Sequence, residues 1–259
     1  MINLFKASLY KLFREKTFLI TMIIGTGLAI LLPVMYHFLL EDLGGEYALV
    51  QSTSTSSNFG LTVPINLTVM IMAEFTTGSL RNKIIAGNRK SRIYISLLFS
   101  GIVFTIIQMT YYIGLSTLMG TILGGFDASK VGGPEFIWKY IALTLCSYIF
   151  ITALSIFIST IIRNLGASIP LIVIALVLLS TVPLFMMLGE LFNNTNETVT
   201  KVIEWLDPLY DVNLFNSILS SFNEEATKGH ILPGIISSLS WSVVFTVLGV
   251  IIFKHRDVK

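Results

Sequence analysis

The residues able to do chemistry gather in one place. Glu74 is followed by Arg81, Lys83, Arg89, Lys90 and Arg92, in a segment set between two long apolar stretches. That pattern suits a loop that docks on something in the cytoplasm rather than bond-breaking. The rest of the chain offers no catalytic constellation. Cys146 is the single cysteine, which excludes an internal disulfide framework and a cysteine metal cluster. His37, His230 and His255 lie far apart, without ligand spacing. Neither G-x-x-x-x-G-K-[ST] nor H-E-x-x-H occurs, so the chain carries no P-loop and no zinc-protease motif. Ser116 follows Gly114-Leu115, but nothing pairs it with His37 by motif, so an intramembrane hydrolase is not expected. The reading is a non-enzyme with no cofactor or metal of its own. The basic residues do not point to nucleic acid, because membrane topology accounts for them.

The elements that must position this segment are apolar. The chain has 259 residues, of which 54% are hydrophobic and 12% charged, with mean hydropathy +0.80. A soluble domain carries about 25% charged residues. An all-α integral membrane protein is expected, as a single transmembrane domain over 1–259. A helix needs about 20 apolar residues to cross a bilayer core. Six segments qualify: Thr17–Leu40, Asn58–Phe75, Ile93–Leu123, Phe136–Ile162, Ala167–Leu188 and Ile231–Phe253. The first has no small-residue cleavage pattern, so it reads as a retained span rather than a signal peptide.

Lys and Arg collect on cytoplasmic flanks. Thirteen of the 17 basic residues fall on one side: residues 1–16, the 81–92 segment, Arg163 and the C-terminus. The other side has Glu41, Asp42 and Glu46 in its first loop and seven acids in Glu190–His230. Both termini are therefore expected in the cytoplasm. Ile2, Phe5, Leu9, Leu12 and Phe13 fall on one arc opposite Lys11 and Arg14, which predicts an interfacial amphipathic helix over 1–16 on the inner leaflet. In the long last outer loop, 199–206 and 214–222 repeat apolar residues at helical spacing, which predicts two short amphipathic helices.

The basic segment has its own helix signal. Gly78-Ser79 reads as a start, with Ser79 as N-cap. Leu80, Ile84 and Ile85 carry helical spacing over Leu80–Ala86, Gly87 reads as the C′ glycine, and Ser91 as a cap for the next span. Such a helix either rests on anionic lipid or docks in a groove of a soluble partner. Glu74 is expected to form an ion pair that fixes this loop, with a basic residue such as Arg81 or with the interfacial helix. Thr105, Gln108, Tyr111 and Tyr112 form one helical patch, and Asn66 lies in the second span. These polar residues either join helices by hydrogen bonds or line a translocation path or subunit interface. Gly120-x-x-x-Gly124 permits close helix approach.

This layout resembles the permease subunit of ABC-2-type ATP-binding-cassette exporters. The matching residues are Glu74, Gly78 and Ser79, then Leu80–Ala86, then Ser91-Arg92, flanked by an N-terminal amphipathic helix and a helical outer loop before the sixth span. The resemblance implies that Gly78, Ser79, Leu80, Arg81, Lys83, Ile84, Ile85 and Gly87 form a coupling helix for a separate ATPase subunit. It implies ATP and Mg in that partner, a second permease as homodimer or heterodimer, and residence in a plasma membrane, bacterial by expectation. The absence of charge in the spans suggests a hydrophobic or amphipathic cargo, such as a peptide, an antimicrobial peptide or a drug. The alternative is a stand-alone secondary transporter or a membrane assembly factor. A coupled carrier, however, needs acids near the midplane, and these spans lack them.

Overall fold

A computed structural model describes residues 2–39, 44–53, 62–162, 164–176 and 231–255. Every regular element among them is helical. In order they are α1 (Ile2–Arg14), α2 (Lys16–Leu39), α3 (Gly45–Thr53), α4 (Thr62–Thr76), α5 (Ser79–Ile85), α6 (Lys90–Gly124), a 3-10 turn (Ala128–Val131), α7 (Gly133–Ile162), α8 (Leu165–Leu176) and α9 (Ile231–His255). Four of them, α2, α6, α7 and α9, are long and apolar enough to cross a bilayer. The helix α4 and the described part of the fifth apolar segment, α8, are apolar but shorter. Residues 58–61, 177–188 and the expected outer helices within 190–230 lie outside the described residues.

The helix α6 starts at Lys90, earlier than expected, because Arg89 holds extended backbone and Ser91 is already helical. Its N-cap position is Arg89, not Ser91, and no side chain caps it. At 35 residues, a helix rising 1.5 Å per residue is about 50 Å long. That exceeds a hydrocarbon core of about 30 Å.

The helices α6 and α7 form the centre, and most of each is buried. The helices α2 and α9 flank them and turn Ile23, Phe38, Leu232 and Val243 outward. Apolar faces of this extent suit hydrocarbon rather than water. Packed on α6, α1 buries Leu12 and Ser8, and Phe13 meets Phe18 edge to face and Phe104 at a tilt, with ring centroids 5.3 and 5.6 Å apart. The apolar stripe of α1 is thus turned to the bundle, and its exposed side carries Lys6, Tyr10 and Arg14.

One end of the bundle gathers α1, α5 and the C-terminal end of α9. There Tyr94 of α6 meets Phe253, and Lys90 Nζ donates to the Lys254 carbonyl at 3.4 Å. The opposite end holds α3, the 3-10 turn and the starts of α7 and α9. The basic segment therefore sits at a defined end, far from Glu46.

Close approach of α2 to α6 depends on Gly25, since a Cβ there would strike the Tyr112 ring. A Cβ at Gly27, on the open side of the same helix, meets nothing within 4 Å. Gly25→Ala should therefore cost about 1–3 kcal/mol by overpacking. Gly27→Ala should be neutral or stabilising by up to about 1 kcal/mol. Unfolding of the purified variants in detergent checks the contrast.

Candidate functional site

An acid buried near the end of an apolar helix must find a countercharge. Glu74, in the last turn of α4, is 1% exposed. Its partner is Lys83 of α5. Lys83 Nζ donates to Glu74 Oε1 at 2.7 Å and to Oε2 at 2.6 Å, and to Ser8 Oγ of α1 at 3.3 Å. A lysine ammonium has three N–H donors, and here it meets three acceptors. One cation thus joins α1, α4 and α5.

The expected ion pair is present, but its base is Lys83, not Arg81. The reason is helical geometry. Leu80 anchors α5 in the core at 1% exposure. Residues three and four positions on share its face, which places Lys83 and Ile84 inward and leaves Arg81 outside. Ile84 packs against the core while Ile85 is 73% exposed. The apolar trio Leu80, Ile84 and Ile85 is thus split. Arg81, Asn82, Ile85 and Ala86 form the outward face, continuing to Gly87 and Arg89.

Both ends of α5 are set by glycine. Gly78 is the N-cap residue, in left-handed backbone with φ +67°, and Ser79 is the first helical residue. This moves the cap one residue from the expected Ser79. The hydroxyls of Thr76 and Thr77 bond back to the Met72 and Ala73 carbonyls and close α4. Gly78 then turns the chain straight into α5. At the other end Gly87 has φ +85°. Gly87 N–H donates to the Ile84 carbonyl at 2.9 Å and Asn88 N–H to the Lys83 carbonyl at 3.3 Å. These are the two bonds of a Schellman stop. The Asn88 side chain adds a third bond to the Lys83 carbonyl, at 2.9 Å. A helix this short would not hold alone in water. Glycine turns, the Leu80 anchor and the Lys83 knot fix it.

The span polar residues form a second cluster. Asn66 Nδ2 donates to Thr21 Oγ1 at 2.9 Å and to Gln108 Oε1 at 3.4 Å. Gln108 Nε2 donates to Thr62 Oγ1 at 3.0 Å and Tyr112 OH at 3.3 Å, and Tyr112 OH donates to the Thr21 carbonyl at 3.0 Å. Thr105 Oγ1 meets Thr152 Oγ1 of α7 at 2.9 Å. All are buried, so they join α2, α4, α6 and α7 within one chain. Their geometry matches helix-joining bonds. Tyr111 differs: it is half-exposed and pairs with Thr26 on the outside of the bundle.

Two buried polar positions that tie elements together went unread in the sequence. Ser8 is one; it is the only polar residue on the packed side of α1 between Leu4 and Leu12, which was a usable signal. Glu46 is the other. It belongs to α3, a helix whose residues have neither strong hydropathy nor clear periodicity, and it is 4% exposed. Glu46 Oε2 accepts Asp127 N–H at 3.2 Å and Oε1 pairs with Lys130 Nζ at 3.5 Å. Asp127 in turn caps the 3-10 turn. The Ser129 hydroxyl and amide hold its carboxyl below the usual carboxylate range. Among the described residues no group of His, Cys, Asp and Glu could hold a metal.

No family model and no curated protein matches the chain.

Removing one member of a buried ion pair strands the other, at a cost of about 3–5 kcal/mol, whereas an apolar replacement of both is far milder. Lys83→Met should destabilise by about 3 kcal/mol, and Glu74→Leu with Lys83→Met should recover most of that loss. A double-mutant cycle on unfolding in mixed micelles reads the coupling; additive losses would remove the knot from this account.

Proposed function

We propose that this chain is the transmembrane subunit of an ABC-2-type exporter, with α5 as its docking helix for a separate cytoplasmic ATPase. The observation that carries the reading is α5 itself. It is a short helix fixed at both ends, anchored by Leu80 and tied through Lys83 to α4 and α1, with Arg81, Ile85 and Arg89 turned outward. A connector between membrane helices needs none of this. A helix that transmits force needs a rigid hold on the bundle and a free outer face.

In this reading α4 and α8 belong to the second and fifth of six spans. The distribution of Lys and Arg supports a cytoplasmic position for the basic end, in the plasma membrane of a bacterial cell. ATP and Mg belong to the partner. Closure of an ATPase pair would push α5, and the Lys83 knot would carry that push into α4 and α1. A second permease completes the transporter. Among the described residues, the buried acids Glu46 and Glu74 lie toward opposite ends of the bundle, and its middle carries hydroxyls and amides alone. A bundle middle without ionisable side chains among the described residues favours an apolar or amphipathic cargo over a small ion.

Ile85→Asp places a charge on the outward face without touching the core. It should leave insertion and thermal stability within about 0.5 kcal/mol of the parent. Copurification with the ATPase and transport should both fall by at least about tenfold, the effect of losing one buried apolar anchor. Retention of both would overturn the docking assignment.

A further inference from the structure

Two unlike surfaces meet where α1 gives way to α2. On α1, Lys6, Tyr10 and Arg14 recur every four residues on the exposed side. The Arg14 guanidinium lies over the Tyr10 ring, 5.2 Å from its centre. On α2, exposed Lys16 heads a stripe of Leu19, Ile20 and Ile23, which share one helix face and are each more than half exposed. We propose that this junction seats an anionic phospholipid, with its phosphate against Arg14 and Lys16 and its acyl chains along Leu19, Ile20 and Ile23.

Three observations carry it. First, charge at this end is unbalanced. The described acids there are Glu15 and Glu74, and Glu74 is already taken by Lys83. Among the described residues, Lys6, Arg14 and Lys16 make no ion pair. Basic clusters beside a span attract anionic lipid. Second, α1 turns its apolar side to the bundle, where Leu12 and Ser8 are buried and Phe13 meets Phe104. What it offers outward is charge and the Tyr10 ring, and tyrosine favours the level of lipid headgroups. Third, the charge stops where the outward apolar stripe begins. Glu15 alone separates the two helices, so adjacent residues match the head and the chains of one lipid. An acidic protein or a nucleic acid would use the charge and leave Leu19, Ile20 and Ile23 unmatched. The inference rests on the membrane reading of the chain, not on the ATPase assignment.

The test uses the full chain in nanodiscs that mix phosphatidylglycerol with phosphatidylcholine. Native mass spectrometry reads which lipid stays bound when the disc is released. The parent should retain phosphatidylglycerol in preference to phosphatidylcholine. Arg14→Gln with Lys16→Gln should lower that preference at least about tenfold, as expected for two basic residues at a membrane surface. Arg92→Gln with Lys254→Gln removes two charges from the same end but away from the junction. Arg92 lies about 18 Å along α6 from Phe104, the residue that meets Phe18. That distance exceeds the screening length of about 10 Å at moderate salt, so this pair should shift the preference by less than about twofold. All four side chains are exposed, so little stability is at stake. A parent without preference, or equal losses from the two pairs, would overturn the seat.

Discussion

A carboxylate placed at the end of an apolar helix cannot stay there alone. Glu74 creates that demand, and much of the basic end is arranged to meet it. Lys83 must reach back toward α4, so the chain turns sharply at Gly78 and re-enters helix at once. Its third donor is taken by Ser8, so α1 must lie against the bundle instead of apart from it. The tie also sets which face of α5 is free. With Leu80, Lys83 and Ile84 turned inward, only Arg81, Asn82, Ile85 and Ala86 remain for anything outside the chain. A stabilising pair and a presented surface are thus two consequences of one constraint.

The two ends of the bundle solve the same problem differently. At the basic end, a buried charge binds three helices into one body that includes the main core. At the far end, Glu46 ties α3 to the 3-10 loop, and α3 packs closely on Gly120 of α6. Between them Asn66, Gln108, Tyr112 and Thr105 close on partners in neighbouring helices, which suits hydrogen-bonding groups in an apolar surrounding. Lys83 ties three helices together, and Glu46 ties α3 to the loop after α6.

The sequence was most legible where one residue type has one physical meaning. Gly87 read as a helix stop because its φ of +85° favours glycine. Six apolar stretches read as spans, and four of them form helices long and apolar enough to cross a bilayer. Gln108 and Asn66 read as polar residues in apolar helices, and their contact was a fair expectation. Legibility failed where choice among like residues depends on tertiary contact. Arg81 and Lys83 are equivalent by charge, and only the inward rotation of Leu80 decides between them. Leu80, Ile84 and Ile85 are equivalent by hydropathy, yet one of them is outside. The helix α3 was missed because its stability comes from Gly120 and the 3-10 loop, far away in sequence. Glu46 was taken for a topological acid for the same reason.

In the proposed reading the outward face of α5 meets a nucleotide-binding partner. The most direct measurement is a photoreactive residue in place of Ile85, irradiated in native membranes, with the adduct sequenced by mass spectrometry. The account predicts an adduct on a P-loop-bearing subunit, lost when the photoreactive residue is moved to the buried position of Leu80. An adduct on lipid alone at position 85 would contradict it.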